Sequence, residues 1–301
     1  MVADIILESA SVTRDRIRQI LGENSLSDVS VWADCAKGFR YCQRPPTREE
    51  AVFTDQNPQH HLFHYTDVPI QQGQYHPGIA GTRSDDLVQV MIYAVNVLRG
   101  KGPNHGPAVL NERSALWLLA HLVGDVHQPL HVGALYFDKN CEKVVDPNVA
   151  GAGELNFGIG TTVVSTRGGN ELKIGRGKDL HSYWDAGVVI GAMRLVSVRN
   201  KSIDDFTKAI TENPPLGWET SGDIDAWPTQ WATEIMPLAK SALTRVQIGQ
   251  ALQTQGGLGP KCTWPVTLTR DYAQWANQQT LNQLSKAGFR LAALLRAIFE
   301  H

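Results

Sequence analysis

The sequence lacks three features that would quickly assign it to a class of protein. Its 301 residues carry a net charge of −2, so it has no basic excess that could hold nucleic acid by neutralising phosphates alone. No apolar run approaches the roughly 20 residues needed to cross a bilayer, so we expect no membrane partner. The first residues also lack a charged-then-apolar leader. With 42% hydrophobic and 19% charged residues, the composition is typical of a soluble globular protein.

Cysteine is also scarce, with four residues that all lie in polar, loop-like segments. Two disulfides would fit this number, with Cys35–Cys42 closing a short loop and Cys141–Cys262 a long one. The alternative is four free thiols in a cytosolic enzyme. Because none of the four lies in an apolar helical pattern, we favour disulfides and therefore an oxidising compartment.

Apolar residues recur at helical spacing over most of the chain. The segment 30–80 is irregular, whereas 132–174 contains glycine clusters and β-branched runs that predict one or two short hairpins. No repeat or long linker divides the chain, so we expect one mainly α domain over residues 1–301 with a small β-hairpin excursion. Helices are predicted at 2–22, 84–98 (capped by Ser84), 111–128 (beginning at Asn111), 178–198, 202–212, 223–254 and 270–300.

Potential metal ligands are concentrated in residues 120–133, AHLVGDVHQPLHVG. His121 and Asp125 are four residues apart, so a helix places them one turn apart on the same face. Pro129 should end that helix and allow His131 to return towards this face from an extended segment. Imidazole and carboxylate groups together suit zinc or a similar first-row ion.

A second His-x-x-x-Asp pair, His181 and Asp185, repeats this spacing on another predicted helix. One such pair arises often by chance or as a surface ion pair. Here, however, Asp34 in VWAD and His64 in LFHYTD add candidate ligands in apolar or aromatic surroundings. Burying so many ionisable groups without a partner would be costly, and metal ions are the natural partner. The sequence therefore predicts a multinuclear metal site formed by Asp34, His64, His121, Asp125, His131, His181 and Asp185.

These motifs resemble those of the zinc-dependent, single-strand-specific nucleases of moulds, plants and bacteria, also called class I or S1/P1 nucleases. The matching segments follow the family's order, clearly over residues 2–200 and loosely beyond: VSVWAD, HLFHYTDVP, HLVGDVHQPLHVG, RGGNELKI and DLHSYWD. The resemblance implies a helical bundle of the phospholipase C/nuclease type. It also implies hydrolysis of the P–O3′ bond in single-stranded DNA and RNA to leave 5′-phosphates, with 3′-nucleotidase activity on nucleotides.

The resemblance implies a metal role for each candidate ligand. One zinc ion would be bound by Asp34, His64, His121 and Asp125. A second would be bound by His131, His181 and Asp185. Asp125, which counts among the catalytic residues, would also bridge the first zinc to a third.

Four further residues have roles implied by the same resemblance. Asp67 matches an acid that orients the attacking water, and Lys37 matches a basic position that faces the phosphate. Tyr65 matches an aromatic residue that stacks on a nucleobase, although core packing is an alternative for it. Phe137 is a candidate for the opposite wall of the base-binding site.

The chain departs from the family pattern at its start. Family members begin with a Trp-Gly-x-x-Gly-His-like segment whose amine, carbonyl and histidine bind the third zinc, whereas this chain starts at MVADII. We expect that the sequence was started late; alternatively, this member works with fewer metals. It retains ligands for two zinc ions together with the bridging Asp125. The family context also implies a secreted or periplasmic monomer.

Two other functions remain open. A phospholipase C-type phosphodiesterase would use a similar cluster on the same scaffold, although HYTD and VHQPLHVG favour the nuclease branch. The chain could instead be a metal-binding protein that is inactive because the third zinc site is missing. Comparing single-stranded DNA with phosphatidylcholine as a substrate would separate the two enzymes.

Overall fold

The computed structural model of the chain describes residues 1–102, 106–149, 163–175, 177–196, 202–256 and 259–300. Within these ranges helices predominate and the strands are short, which confirms the mainly α prediction. The helices, numbered in chain order, are α1 Val2–Leu7, α2 Ser11–Leu21, α3 Leu26–Val29, α4 Trp32–Ala36, α5 Phe39–Cys42, α6 Arg48–Gln56, α7 Leu87–Leu98, α8 Glu112–Val126, α9 Leu180–Ser182, α10 Val188–Leu195, α11 Ile203–Thr211, α12 Trp227–Thr244 and α13 Arg270–Phe299.

Short turns and strands connect these helices. Tight 3₁₀ turns cover His60–His64, Pro129–His131 and Ile224–Ala226, and a π-type turn covers Tyr183–Gly187. The strands are β1 Val68–Pro69, β2 Gly133–Ala134, β3 Tyr136–Asp138, β4 Val163–Ser165, β5 Leu172–Gly175, β6 Lys178–Asp179, β7 Gln247–Ile248, β8 Leu252–Gly256 and β9 Gly259–Thr267.

The main apolar core is built on α7 and α8, which pack against each other. Most of the apolar side chains that these two helices carry are buried. The long helix α13 packs on α8 and also covers α1, α2 and α10. A second apolar cluster surrounds Trp264 and includes Leu130, Leu180 and Trp184. Helix α8 belongs to the first cluster, whereas the residues that directly precede His131, His181 and Asp185 belong to the second. The predicted ligands therefore lie where the two clusters meet.

Helix α8 lies within the predicted range 111–128 and ends two residues earlier than predicted. The Asn111 side chain accepts a hydrogen bond from the Ser114 backbone N–H, which satisfies one donor of the first turn. The helix ends at Val126, ahead of Pro129. The following residues form a 3₁₀ turn rather than the expected extended segment, because Gln128 caps this turn and Pro129 supplies its first residue. His131 is the last residue of that turn.

The predicted helix over 2–22 is wrong as a single element. The chain breaks at Ala10, where φ is −96° and ψ is 81°, and α2 begins at the next residue. The break frees the carbonyl of Ile6, which accepts hydrogen bonds from the Ser9 hydroxyl and from Arg296 on α13. A contact with the other end of the chain therefore stabilises the interruption.

Three further helix predictions need correction. Asp86, not Ser84, caps α7, because its carboxylate accepts the backbone N–H groups of Val88 and Gln89. The segment 30–80, predicted to be irregular, contains four helical pieces, α4, α5, α6 and the His60–His64 turn. The helix predicted over 223–254 is also too long. Its last residues form β7 and β8, which hydrogen-bond to β9.

The strands bring distant segments together. β3 pairs antiparallel with β4, in line with the predicted hairpin region, although residues 150–162 of that region lie outside the described residues. β1 pairs in parallel with β2, and the Thr66 backbone N–H donates to the His131 carbonyl at 2.8 Å. This pairing holds the HYTD segment against the segment that follows α8.

Both predicted disulfides are present, Cys35–Cys42 and Cys141–Cys262. The second pair joins β9 to the turn that follows β3 and so closes a loop of 121 residues. In the described ranges we find no helix with the length and apolar character that a membrane span requires.

Candidate metal centre

The seven predicted ligands converge on one cleft of about 680 Å³. Six of them line its surface, and His121 lies directly behind Asp125. The ligands come from α4, the His60–His64 turn, α8, the Pro129–His131 turn and the helical run that starts at α9. Ligands as far apart in sequence as Asp34 and Asp185, 151 residues, therefore contribute to one site.

Three ligand atoms form a compact triangle at one side of the cleft. His64 Nδ1 lies 3.0 Å from His121 Nε2 and 3.1 Å from Asp125 Oδ2. His121 Nε2 lies 3.2 Å from Asp125 Oδ2. Asp34 Oδ1 lies 3.8 and 3.9 Å from the two ring nitrogens. A tetrahedral zinc with bonds of about 2.05 Å would separate its ligands by about 3.4 Å. The observed separations lie on both sides of this value. Asp34, His64 and His121 form a set whose ligand atoms are close enough to share an ion, and Asp125 contacts both imidazoles.

A second group lies at the other side of the cleft. Asp185 Oδ1 is 3.4 Å from His131 Nε2, and Asp185 Oδ2 is 3.7 Å from His181 Nε2. Together these three side chains form a second set whose ligand atoms are close enough to share an ion. Asp125 Oδ2 also lies 3.8 Å from His131 Nδ1, so this carboxylate stands between the two groups.

The backbone fixes the protonation of three of the four histidines. In His121, His131 and His181, Nδ1 faces a backbone carbonyl oxygen, which can only accept a hydrogen bond. Nδ1 therefore carries a proton, and in the neutral imidazole Nε2 presents its lone pair to the ligand groups. The carbonyl oxygens, in the same order, belong to Ser30 at 2.6 Å, His64 at 2.6 Å and Gly168 at 2.9 Å.

Neighbouring elements hold these side chains in place. Trp32 packs its ring on Phe53 and Trp117, which fixes α4 and hence Asp34 against α8. Asp185 lies in the π-type turn, a feature that is frequent at functional sites. The Gln128 side-chain amide donates to Asp185 Oδ1 at 2.8 Å and so fixes the orientation of that carboxylate.

Charges in the cleft are strongly coupled. Burial opposes ionisation of Asp125, but His121 and His131 beside it hold the pKa of that carboxyl well below its usual range. Burial also opposes the charge on His131, yet Asp125 and Asp185 raise its pKa to about 9. The carboxylates and imidazoles of the cleft therefore stabilise one another's charges, and a bound cation would take the place of the protons on the imidazoles.

Asp67 lines the same cleft and is almost fully buried. Burial raises the pKa of its carboxyl to about 6, although Arg167 lowers it. Its position is fixed because the Tyr136 hydroxyl donates to its backbone carbonyl at 2.7 Å. A carboxyl group with this pKa can accept a proton near neutral pH.

Lys37, Tyr65 and Phe137 differ in position. Lys37 lines the cleft with its Nζ 2.7 Å from Asp34 Oδ1, and half-buried Tyr65 also lines it. Phe137 does not reach the cleft, which corrects the expectation that it forms the opposite wall. Its ring is 5% exposed and stacks on Trp264 at 4.3 Å between centroids, within the second apolar cluster.

Several cleft residues were missed from the sequence, among them two arginines and a tyrosine. Arg40 and Tyr41 line the cleft from α5, and Arg167 lines it from the turn after β4. Arg167 is the first residue of the RGGNELKI segment, so a family motif pointed to this position. Arg40 and Tyr41 belong to no motif, and only the fold brings them to the metal ligands.

The comparisons with known proteins agree with this geometry. A sequence model of the S1/P1 nuclease family matches residues 1–300. The chain belongs to the S1/P1 nuclease family. It is 23% identical over 288 residues to Endonuclease 2 of Arabidopsis thaliana, which covers 92% of this chain and 79% of that protein. Endonuclease 1 of the same plant is 23% identical over 255 residues, covering 79% of this chain and 68% of the relative.

Membership of the S1/P1 nuclease family makes the chain a hydrolase of phosphoester bonds with nucleic acid as the substrate class. The family is metal-dependent, and the described residues provide two groups able to hold metal ions. Family nucleases are generally extracellular, which agrees with the two disulfides.

Proposed function

We propose that this chain is a zinc-dependent endonuclease that cleaves the P–O3′ bond of single-stranded DNA and RNA, leaves 5′-phosphates, and removes 3′-phosphates from mononucleotides. The observation that carries this proposal is the convergence of seven imidazole and carboxylate ligands on one open cleft. Nitrogen and oxygen donors at these separations suit zinc. Residues 1–301 would form one secreted or periplasmic nuclease domain that acts as a monomer.

The first zinc would be held by Asp34, His64, His121 and Asp125. The second would be held by His131, His181 and Asp185. When bound, zinc supplies Lewis-acid charge to a phosphodiester and lowers the pKa of water towards about 7. Asp125, which faces both groups, would be the ligand on which the centre depends most.

The chain's own residues would orient and move the reacting groups. Asp67 would accept a proton from the attacking water at its carboxylate, which its pKa of about 6 permits. The water oxygen bonds to phosphorus as the P–O3′ bond breaks, and a proton ends on the departing O3′. Lys37 and Arg167 both line the cleft, and their positive charges would neutralise the phosphate oxygens.

Tyr65 supports the preference for unpaired bases. Its ring lines the cleft and is only half-buried, so one face can receive a base. Stacking on an aromatic ring requires a free base face, which a base inside a duplex does not offer. The proposal therefore includes discrimination against double-stranded DNA.

The proposal is tested by elemental analysis and by product mapping. We expect zinc to copurify, single-stranded DNA to be cut faster than duplex DNA, and the products to carry 5′-phosphates. Asp125→Ala should lose metal and hydrolysis together, whereas Asp15→Ala, which removes an exposed carboxylate outside the cleft, should keep both.

Full hydrolysis by Asp125→Ala would refute the role of that residue. Hydrolysis of phosphatidylcholine without cleavage of DNA would refute the nuclease and support a phospholipase C-type enzyme. A protein that binds zinc but hydrolyses neither substrate would be a metal-binding protein instead.

A further inference from the structure

Two aromatic side chains on α5, of which Tyr41 lines the cleft, are unusually exposed. Phe39 is 62% exposed and Tyr41 is 52% exposed. Every other phenylalanine, tyrosine or tryptophan among the described residues is buried or only partly exposed. Transfer of an aromatic ring from water into a protein core is favourable, so two strongly exposed rings on one helix are unusual. A single exposed apolar residue needs no explanation, but these two flank Arg40 on the same short helix.

The helix that carries them is held rigidly against the metal centre. α5 begins after Gly38, whose φ of +114° favours glycine, and ends before Gln43 in the left-handed region. The Cys35–Cys42 disulfide joins its last residue to α4, the helix that carries Asp34. Phe39 and Tyr41 are therefore presented at a fixed position relative to a metal ligand.

Positive charge accompanies the two rings. Lys37 Nζ lies 2.7 Å from Asp34 Oδ1 and 5.2 Å from the centre of the Tyr41 ring, within the range of a cation–π contact. Arg40 lines the cleft and, within the described part of the chain, makes no ion pair or hydrogen bond. A free guanidinium group between two exposed rings matches the alternation of phosphate and base in a single strand.

We propose that α5 is a second base-binding surface, on which Tyr41 and Phe39 stack against unpaired bases and Arg40 contacts a backbone phosphate. Arg40 and Tyr41 line the cleft and Phe39 begins the same helix, so a strand that places its scissile phosphate at the metals would extend over Tyr41 and Arg40 towards Phe39. This inference rests on the proposed nuclease function and deepens it. It makes an oligonucleotide, which reaches both Tyr65 and α5, a better substrate than a mononucleotide.

The direct test is the binding of a fluorescein-labelled phosphorothioate decathymidylate, followed by fluorescence anisotropy. Replacing both rings, Phe39→Ala with Tyr41→Ala, should raise Kd by about 5- to 150-fold for each stacked base lost. Tyr41→Phe, which keeps the ring, should bind better than Tyr41→Ala. Arg40→Gln should reduce the slope of log K against log salt by about 0.7. Leu216→Ala removes a 96% exposed side chain outside the cleft and should leave Kd unchanged.

A second measurement separates stacking from damage to the metal centre. The double alanine variant should lower the ratio of kcat/KM for decathymidylate to kcat/KM for bis(p-nitrophenyl) phosphate by about 5-fold or more. An unchanged ratio, with both activities falling together, would overturn the proposal. Unchanged oligonucleotide Kd in the double variant would also overturn it.

Two further outcomes distinguish this inference from the proposed function. If the wild type bound the oligonucleotide through α5 but hydrolysed no phosphodiester, the nuclease proposal would fail and the binding surface would stand. If the double variant kept oligonucleotide binding but lost binding to phosphatidylglycerol vesicles, α5 would be a membrane contact and the inference would be wrong.

Discussion

Replacing Gly168 with alanine should weaken metal binding by the group of His131, His181 and Asp185. Gly168 has φ of +55°, and a Cβ added there would lie 2.1 Å from the carbonyl oxygen of Leu130. Ordinary contacts of this kind begin at 3.4 Å. Either the turn or the Leu130 backbone must therefore move by about 1 Å to relieve the overlap.

A displacement of this size is sufficient to disturb the ligands. The Gly168 carbonyl accepts the Nδ1–H of His181 at 2.9 Å, and a shift of about 1 Å would take the pair beyond hydrogen-bond range. Leu130 directly precedes His131, so movement there disturbs a second ligand. Loss of the partner that orients a metal-bound histidine typically costs 10- to 100-fold in metal affinity, or about 1.4 to 2.7 kcal/mol.

Gly175→Ala is the matched control for this variant. Gly175 also has a positive φ, +89°, but nothing lies within 4 Å of an added Cβ. It shares the backbone cost of alanine at a positive φ, about 1 kcal/mol, without the overlap. Zinc titration by isothermal calorimetry measures both variants, and urea unfolding confirms that they are folded. Wild-type affinity in Gly168→Ala, or an equal loss in Gly175→Ala, would refute the reasoning.

Three further predictions concern binding and stability. Tyr65→Ala should raise KM for single-stranded DNA by about 5- to 150-fold with zinc content unchanged, and an unaltered KM would contradict stacking. The double variant Cys141→Ala with Cys262→Ala should lower the free energy of unfolding by about 5 kcal/mol, because this disulfide closes a loop of 121 residues. Cys35→Ala with Cys42→Ala should lower it by about 2 kcal/mol, because that loop spans 7 residues. Equal losses in urea unfolding would contradict this loop-entropy argument. Burial lowers the pKa of His60 to about 4. As the pH falls, the unfolded chain therefore binds a proton at this residue before the folded chain does. The free energy of unfolding should fall by about 3 kcal/mol between pH 6.5 and 4. His60→Gln should reduce that fall in unfolding measured across the same pH range, and an identical pH profile would count against it.

The metal-bearing helix could be predicted because its signals are local. The cap at Asn111 and the break before Pro129 set the limits of α8, and a spacing of four residues sets the common face of His121 and Asp125. Convergence of the other ligands could not be deduced from spacing, since it depends on the pairing of β1 with β2. The family motifs supplied that part of the prediction.

Other elements were predicted incorrectly because distant contacts decide them. The break at Ala10 depends on Arg296, which donates to the freed Ile6 carbonyl from the last helix. Phe137 stands in a short strand whose inner face is set by Trp264, and nothing near it in sequence reveals this. The start of α6 is different, because its capping box of Thr47 and Glu50 is visible in the sequence and was overlooked.

The two ligand groups share one piece of backbone. The carbonyl of His64, whose ring belongs to the first group, accepts the Nδ1–H of His131, whose Nε2 belongs to the second. An ion that orders His64 therefore also orients the His131 imidazole, which would bind the second ion. Uptake of the two ions should consequently be cooperative, and a chelator should strip them in one sigmoidal step rather than successively.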